Sequence, residues 1–325
     1  MKIHQYPERY GSTPRLCYLY GHDCQPVLSG LYDDRFGIPG DYNILRCRCC
    51  SLEQIWPRPS AEKLEELYER NYNWGGEHNT AYTRIRERFV SLALYRLWLE
   101  WDGDVCFHLR RGAGRLLDVG CNEGRGLVFY TQNGFQVEGL EINERAAAVA
   151  RRKGFTVHTM PLQELSPGEP YGVVVLSNVL EHAPDPVAML REARRVLRPG
   201  GEVWISCPNS SSRLRRIFGR HWVQWHVPFH LWHFSPQTLR EVLARADFQP
   251  VEVQTFTPAL WLAASVCNLF SRRGQANRWM RSAPVMAGLM LLSRGFFLPL
   301  LARTNGETAG DCLTVIARPK PETLS

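Results

Sequence analysis

The stretch that decides the fold is Leu116-Leu117-Asp118-Val119-Gly120-Cys121-Asn122-Glu123-Gly124, together with Val137-Glu138-Gly139-Leu140-Glu141-Ile142. An apolar run leads into a glycine turn, and the second apolar run ends in a carboxylate. This order predicts a strand, a turn, a helix and a second strand, with backbone amides at the turn that can approach a ligand closely. Glu141 follows Gly120 by about 20 residues, the spacing at which an acidic side chain accepts hydrogen bonds from ribose hydroxyls. The stretch therefore predicts a nucleotide pocket.

Asp118 and Asn122 indicate which nucleotide binds. A dinucleotide fingerprint reads G-x-G-x-x-G, and Asn122 stands where its second glycine would be, which disfavours close approach of a pyrophosphate. Asp118 lies two residues before the turn, where a negative charge favours a cationic ligand over a diphosphate. S-adenosylmethionine carries a sulfonium, an ammonium and a ribose, and we predict it as the cofactor. The alternative is a plain strand, turn and helix with a buried, capped aspartate.

Three further runs resemble a known family. They are Tyr171-Gly172-Val173-Val174-Val175-Leu176-Ser177-Asn178-Val179-Leu180-Glu181-His182, Asp185-Pro186, and Arg195-Val196-Leu197-Arg198-Pro199-Gly200-Gly201. With the motif at 118–124 and Glu141, the chain resembles class I S-adenosylmethionine-dependent methyltransferases of the ubiquinone-biosynthesis-like group, over about residues 110–256 and again from about 310. The resemblance implies an α/β fold with a Rossmann-like seven-stranded sheet whose last strand is antiparallel.

The resemblance also implies roles for single residues. Asp118 belongs to the cofactor motif, and the methionine end would lie against Gly120, Cys121, Asn122 and Gly124. Glu141 and Ile142 would hold the ribose and adenine, Pro161 and Leu162 would lie beside the adenine ring, and Ser177, Asn178 and His182 would face the sulfonium and the acceptor. Many members have a carboxylate or amide near 161–162, so recognition of the adenine edge would rely on backbone groups here.

The segment 221–234 is a candidate acceptor site, because it contains four histidines and three tryptophans in fourteen residues. Histidine takes a proton near neutral pH, and aromatic rings shape a pocket. We predict His182 and His230 as catalytic bases, and the resemblance places His230 in a recurrent Pro-x-His turn. The alternative for each histidine is a hydrogen-bonded structural role, and a metal site made from these histidines is a further one.

Four cysteines near the N-terminus form a candidate metal site. Cys47 and Cys50 make a C-x-x-C pair, a spacing at which one turn presents two thiolates to a tetrahedral metal. Related methyltransferases carry an N-terminal zinc ribbon, in which the second cysteine of the first pair, Cys17-x-x-Cys, is Tyr20 here. A complete zinc site therefore requires Cys24 to supply the missing ligand. The alternatives are a ribbon-like fold that keeps its cysteines as buried apolar residues, and redox chemistry at the C-x-x-C pair.

The pattern along the chain predicts a parallel sheet with helices on both faces. Strands are predicted at about 115–119, 135–140, 155–158, 172–177, 201–206, 250–256 and 311–317, and helices at about 61–70, 79–110, 124–132, 143–153, 186–197 and 235–246. We expect a zinc-ribbon-like module at 1–59, a helical connector at 60–111 and a methyltransferase domain at 112–325. The long span 257–309 is predicted to be a helical insertion, and insertions of this size are usually functional.

The 325 residues carry a net charge of +7, mostly from arginine, with a pI near 8.9. This balance suits acidic small molecules, phosphorylated carriers or an anionic membrane surface rather than nucleic acid. Residues 1–16 lack an apolar signal segment, and ten cysteines without one predict a reducing, cytoplasmic compartment. The apolar segment 284–301 is too short and broken to span a bilayer. It is predicted as a core helix or substrate lid, with peripheral membrane contact as the alternative.

These observations predict an S-adenosylmethionine-dependent methyltransferase that acts on a small-molecule acceptor. A sugar or glycan precursor, or a lipid-linked or quinone-like compound, would suit the aromatic segment, the arginines and the apolar insertion. The alternative is a non-catalytic S-adenosylmethionine-binding or scaffold protein that retains the fold. A nicotinamide-dependent oxidoreductase is disfavoured by Asn122 and Asp118.

Overall fold

The computed structural model describes residues 16–71, 93–297 and 309–321. These residues form two compact units, each assembled from separate stretches of the chain. The described part of the first unit is 16–71, 208–238, 255–297 and 309–313, and that of the second is 93–207, 239–254 and 314–321. The division that we predicted at residues 59 and 111 remains a prediction.

The first unit contains a four-stranded antiparallel sheet. Its strands are β1 (Cys24–Leu31), β2 (Tyr42–Cys47), β3 (Glu53–Trp56) and β9 (Trp232–His233), in the spatial order β1-β2-β3-β9. The last of these comes from the aromatic segment 221–234, and its register pairs Glu53 with His233 and Gln54 with Trp232. The sequence did not predict β9, because a two-residue strand carries no alternating pattern.

Four helices also belong to the described part of the first unit, and their bounds are α1 (Ala61–Asn71), α6 (Arg213–Phe218), α8 (Ala259–Asn268) and α9 (Ala283–Leu292). The two helices α8 and α9 lie in the predicted insertion and pack through Ala263, Cys267 and Met286. Residues 298–308, the rest of that insertion before β11, lie outside the described residues.

The second unit is built on a seven-stranded sheet in the order β10-β11-β8-β7-β4-β5-β6. The five strands from β8 to β6 in this order pair in parallel. In contrast, β11 runs antiparallel to β10, because Lys320 bonds Asp247 whereas Thr314 bonds Gln254. The antiparallel last strand is thereby confirmed. The bounds are β4 (Gly114–Val119), β5 (Phe135–Leu140), β6 (Thr156–His158), β7 (Tyr171–Ser177), β8 (Leu197–Pro208), β10 (Phe248–Phe256) and β11 (Cys312–Pro319).

Four helices of the second unit begin within one residue of their predicted starts, whereas the helix predicted at 79–110 ends at Asp102, because Gly103 takes a φ of +102° and turns follow it. Asn143 caps one helix by accepting from the backbone N–H groups of Arg145 and Ala146, and Asp185 caps another by accepting from Ala188. The bounds are α2 (Ala93–Asp102), α3 (Arg125–Gln132), α4 (Glu144–Arg152), α5 (Pro186–Val196) and α7 (Pro236–Arg245). Residues 79–92 of the predicted helix 79–110 lie outside the described residues.

The core of the second unit lies against the centre of its sheet. Leu116 and Val175 are fully buried on adjacent parallel strands and pack with Trp204 from β8 and Tyr130 from α3. Burial on both faces explains why β4 and β7 are near-continuous apolar runs. Among the described residues, no helix has the length and apolar character needed to cross a membrane.

Candidate functional site

The turn between β4 and α3 holds three left-handed residues. Gly120, Asn122 and Gly124 have φ values of +72°, +50° and +74°. A Cβ at Gly124 would lie 2.8 Å from the Cβ of Ala150, so glycine is required there by both conformation and space. The sequence prediction of a tight turn is confirmed, and the turn brings the chain back over the end of β4.

Asp118 is a buried carboxylate at the end of β4. Its side chain is 6% exposed and has no hydrogen-bond or ion-pair partner among the described residues. A Cβ at Gly126 would approach the Asp118 Oδ2 to 2.8 Å, so only glycine leaves room for this carboxylate beside α3. Burial, and then the charge of Glu141, raises the pKa of Asp118 to about 8. A buried carboxylate without a partner fits a cationic ligand such as an ammonium or sulfonium group.

Glu141 follows β5 and is held by two backbone amides. Its Oε2 accepts from the N–H of Asn122 at 2.9 Å, and its Oε1 accepts from the N–H of Asn143 at 2.8 Å. Burial raises the pKa of this carboxyl. Each oxygen keeps a second lone pair, so the carboxylate can still accept from two vicinal hydroxyls. The neighbouring Ile142 is 42% exposed, which leaves its side chain open to a planar ring.

The other predicted cofactor residues lie at the same edge of the second unit, where the parallel strands end. Ser177 ends β7, and its Oγ contacts Val105 O at 3.2 Å and Ser206 Oγ at 3.0 Å. Asn178 takes a φ of +53° just after it. Leu162 is buried in the turn Leu162–Glu164 after β6. Cys121 is also buried, and its Sγ would lie 2.5 Å from a Cβ at Gly139.

His182 also lies at this edge, in the short 3₁₀ turn Leu180–His182 that follows β7. It is partly exposed, whereas its neighbour Glu181 is buried. The strands β4 and β7 are adjacent and parallel, so their carboxyl ends lie at the same edge of the sheet. Asp118 and His182 therefore both lie at this edge. The predicted parallel sheet had placed His182 at this edge, and its role toward the cofactor and the acceptor stays a prediction.

His230 lies in the first unit within a chain of hydrogen bonds. Arg35 Nη1 is 3.2 Å from His226 Nε2, His226 Nδ1 is 3.3 Å from His230 Nε2, and His230 Nδ1 is 2.8 Å from Gln224 O. A guanidinium only donates and a carbonyl only accepts, so this geometry assigns the Nδ1–H tautomer to both rings. His230 can accept a proton on Nε2 only after the bond from His226 opens.

The remaining aromatic residues of segment 221–234 are packed inside the first unit. Trp222, Phe229 and Trp232 are essentially fully buried, and Tyr68 packs on Phe229 with ring centroids 5.2 Å apart. His233 is 1% exposed, and burial lowers its pKa to about 3, so the ring is neutral. The predicted acceptor role of this segment stays a prediction, while these contacts give its residues a structural role.

Glu53 is a buried charged residue that the sequence did not single out. Its Oε1 accepts from Arg46 and, at 2.9 Å, from Arg215, whose guanidinium lies 4.8 Å from the centre of the Trp225 ring. These partners are up to 162 residues apart in the chain. Glu53 begins a four-residue strand and its partner Arg215 is distant in the sequence, so no local sequence signal could have identified the network.

The four predicted metal ligands lie in the first unit and all four are buried, and three of them come together. The Sγ atoms of Cys17, Cys47 and Cys50 lie within 4.8 Å of one another, and the Cys17 and Cys50 sulfurs are 3.5 Å apart. Cys24 is the cross-strand partner of Cys47. A hydrogen bond with Cys24 lowers the pKa of Cys17 to about 5 and raises that of Cys24, because the two sulfurs share one proton.

This arrangement fits a tetrahedral thiolate site. Zinc–sulfur bonds of about 2.3 Å place the sulfurs about 3.8 Å apart in a tetrahedron, close to the separation observed here. The backbone N–H of Cys49 lies 3.3 Å from the Cys47 Sγ, which orients that sulfur within its turn. Cys49 itself is exposed and points away from the set.

Comparison with known proteins gives matches over the same residues. A family model described as a methyltransferase domain matches residues 82–253. The ubiquinone biosynthesis O-methyltransferase of Cereibacter sphaeroides (strain ATCC 17025 / ATH 2.4.3) is 30% identical over 177 residues, which are 50% of this chain and 72% of that protein. The protein of the same name from Sodalis glossinidius is 33% identical over 123 residues, 35% of this chain and 49% of its own length.

Solved structures also match at low identity. The 1,6-didemethyltoxoflavin-N1-methyltransferase of Burkholderia thailandensis is 18% identical, with a TM-score of 0.46 and coverage of 87% of this chain and 97% of that chain. A possible histamine N-methyltransferase from Thermotoga maritima is 18% identical, with a TM-score of 0.47 and coverage of 79% and 100%.

Proposed function

The chain belongs to the methyltransferase-domain family and is an S-adenosylmethionine-dependent methyltransferase, and we propose that it methylates a hydroxyl group of a small-molecule acceptor. The observation that carries this proposal is the similarity to ubiquinone biosynthesis O-methyltransferases, of which the chain covers 72% at 30% identity. A quinone-like phenol is therefore the first acceptor to test. A sugar or glycan precursor and a lipid-linked compound are the other classes that we retain.

Two carboxylates would hold the cofactor at its opposite ends. Asp118 would pair with the cationic methionine end, and Glu141 would accept from the ribose hydroxyls with the lone pairs that the amides of Asn122 and Asn143 leave open. The left-handed turn at Gly120 would let the backbone approach the ligand. When bound, S-adenosylmethionine supplies the methyl electrophile.

The acceptor hydroxyl needs a base, and we propose His182 for this role. It is partly exposed and follows β7 at the sheet edge where the cofactor motif also ends. His230 is the second candidate, and its Nε2 would have to leave the bond with His226 Nδ1 before it could take a proton. Positioning and exclusion of water would supply the rest of the rate enhancement.

Calorimetric titration with S-adenosylhomocysteine tests the cofactor site. We expect binding to the wild-type chain, and a loss of at least tenfold in affinity for Asp118→Asn, because a charge-assisted contact disappears. Glu123→Gln removes a carboxylate from the same turn and serves as the matched control with unchanged affinity. Equal losses in both variants would contradict the assignment to Asp118.

A panel of acceptors tests the proposed reaction. The enzyme would be incubated with S-adenosylmethionine and a catechol-type phenol, a sugar nucleotide or a polyprenyl-linked phenol, and methylated product would be measured by mass spectrometry. We expect O-methylation of the phenols. Transfer to nitrogen alone would contradict the proposal, and cofactor binding without transfer to any acceptor would favour the non-catalytic alternative.

For the N-terminal cysteines we propose a structural zinc ion held by Cys17, Cys24, Cys47 and Cys50. All four cysteines are buried, the sulfurs of Cys17, Cys47 and Cys50 lie within 4.8 Å of one another, and Cys24 pairs with Cys47 across the strands. Four thiolates are the donor set of a closed zinc site. In this proposal Cys24 replaces the ligand that Tyr20 cannot supply. The ion would tie β1 to β2 and to the turn after β2.

A further inference from the structure

The helix α9 is apolar on all of its sides. Its sequence, APVMAGLMLL, contains no polar side chain. One side, with Val285, Met286 and Leu289, packs against α8. A helix that is apolar all round is normally buried in a protein core or in contact with lipid.

Other large apolar side chains at the end of α9 and in the turn after it are open to solvent. Leu291 is 64% exposed and Leu292 is 50% exposed, and Phe296 in the next turn is 69% exposed. Phe270, just after α8, is 65% exposed. These four large apolar side chains are thus exposed between residues 270 and 296, and where such side chains lie together they mark an interaction site.

The described part of the insertion, 257–297, contributes positive charge and no negative charge of its own. Residues 257–297 contain no aspartate, glutamate or lysine, and their arginines are Arg272, Arg273, Arg278, Arg281 and Arg294. Arg273 pairs with Asp41. Arg272, Arg278 and Arg281 are exposed and have no acidic partner among the described residues.

Aromatic and basic side chains meet in one cleft of this region. Phe270, Arg272, Arg278 and Trp279 line it, and the Arg278 guanidinium lies 4.8 Å from the centre of the Trp279 ring. Tryptophan and arginine are the side chains that favour the level of lipid headgroups. The cleft therefore combines guanidinium groups, which can bind phosphate, with a tryptophan ring of the kind that lies at membrane interfaces.

We propose that this region binds the surface of an anionic lipid bilayer. We call it the insertion surface, and it comprises Phe270, Arg272, Arg278, Trp279, Leu291 and Phe296. The ten residues of α9 span about 15 Å, half of the roughly 30 Å of a hydrocarbon core, so the helix lies in the interface plane. The apolar side chains enter the acyl boundary while the arginines contact lipid phosphates.

A second copy of the chain is less complementary in charge to the insertion surface than an anionic bilayer is. A two-fold symmetric dimer places the same patch against itself. That arrangement would bring the unpaired Arg272, Arg278 and Arg281 close to their own copies, with no acidic residue in 257–297 to offset them. An anionic bilayer offers the complementary charge instead. This proposal does not depend on the identity of the acceptor.

Co-sedimentation of the full chain with vesicles tests the proposal. One set of vesicles contains phosphatidylcholine alone, and the other contains equal parts of phosphatidylcholine and phosphatidylglycerol. We expect the protein to pellet with the anionic vesicles only, and binding should weaken as salt is raised. Failure to pellet with anionic vesicles, or equal binding to neutral ones, would overturn the proposal.

Paired variants separate the two contributions. The double variant Leu291→Ser, Phe296→Ser should lower vesicle affinity at least tenfold, and Arg278→Gln, Arg281→Gln should do the same and also reduce the salt dependence. The matched controls are Leu97→Ser, at an exposed apolar site in the second unit, and Arg152→Gln, at an exposed arginine on α4.

Folding and self-association are checked on the same samples. Unchanged affinity for S-adenosylhomocysteine shows that a variant is folded. Insertion-surface variants that bind vesicles as the controls do would overturn the proposal. A concentration-dependent dimer that Phe296→Ser abolishes would assign the surface to a second copy and would also overturn it.

Discussion

At the scale of single residues, Asp118 links stability to function. Its carboxylate is buried beside α3 with no partner among the described residues. Taking such a group out of water is costly unless a counter-charge joins it. The ligand-free protein therefore carries a local cost that a cationic ligand would remove.

The pKa of Asp118 predicts a pH-dependent gain in stability for Asp118→Asn. Burial raises this pKa from 3.8 to about 8, so the folded state holds the proton more tightly than the unfolded state. The free energy of unfolding should therefore fall as pH rises from about 4 to 8 in the wild type, and less so in the variant. We expect Asp118→Asn to raise it by about 5 kcal/mol at pH 8 and little at pH 4.

Urea unfolding of ligand-free protein at pH 5, 6.5 and 8 would measure this effect. Glu123→Gln is the control, because it changes the same turn without removing a buried group. A gain for Asp118→Asn that does not grow with pH would contradict the assigned titration.

The sequence identified the residues of the cofactor edge because their signal is local. Gly120, Gly124 and Glu141 stand in one strand–turn–helix–strand unit, where spacing alone fixes their geometry. The hydrogen bonds of His230 could not be predicted in this way. Arg35, which sets the tautomer of His226, is 191 residues away in the chain. Long-range contacts of this kind leave no periodic pattern to read.

At the scale of elements, the turn between β4 and α3 combines conformational and spatial demands. Gly124 has a φ of +74°, and an added Cβ would lie 2.8 Å from the Cβ of Ala150. Gly154, after α4, has a φ of +91° with nothing within 4 Å of an added Cβ. Alanine at Gly154 would therefore add backbone strain alone, whereas alanine at Gly124 would add both backbone strain and steric crowding.

We expect Gly154→Ala to lower the free energy of unfolding by about 1 kcal/mol, because only backbone strain is added. Gly124→Ala should cost about 2 kcal/mol more, since the turn must also move away from α4. It should also weaken binding of S-adenosylhomocysteine, which Gly154→Ala should leave unchanged. Urea unfolding and calorimetry of both variants would measure this difference, and equal effects would contradict the crowding at Gly124.

The cysteine turns give a second prediction at this scale. Cys24→Ser should lower bound zinc to well under one ion per chain and destabilise the protein by several kcal/mol, since a closed site loses a ligand. Cys49→Ser alters an exposed cysteine in the neighbouring turn and should retain the metal. Elemental analysis of both purified variants would measure this, and full zinc content in Cys24→Ser would contradict the ligand assignment.

At the scale of the whole molecule, segments that are distant in sequence share one sheet. The strand β9 pairs with β3, so Trp232 and His233 are held by residues near 53–54. Hydrogen exchange should report this pairing. After zinc chelation we expect faster exchange at 17–56 and also at 230–234, while 114–141 stays protected.

Binding of S-adenosylhomocysteine should have the complementary effect, with slower exchange at 118–124 and 139–143. Exchange measured by mass spectrometry on the full chain resolves both segments. Unchanged exchange at 230–234 after chelation would contradict a shared cooperative unit.

The fold class was predictable because alternating strands and helices imply a parallel sheet whatever the loops contain. Which stretches of the chain make up the first unit could not be predicted. Residues 208–238 and 255–297 look like loop and insertion in the linear sequence, yet the structure groups them with the N-terminal strands. The pairing of β3 with β9, the bond of Glu53 with Arg215 and the bond of Arg35 with His226 hold these segments to the N-terminal part, and none of them leaves a pattern in the sequence.

The pairing of β3 with β9 limits how this protein can be re-engineered. A cassette that exchanges the N-terminal module for that of another enzyme would remove Gln54, the strand partner of Trp232, and Tyr18, whose ring centroid lies 4.8 Å from that of Trp232, and would so uncover the Trp232 ring. A working chimera would have to transplant residues 221–234 along with the module. Recombination in nature faces the same constraint, so the two segments are expected to be inherited together.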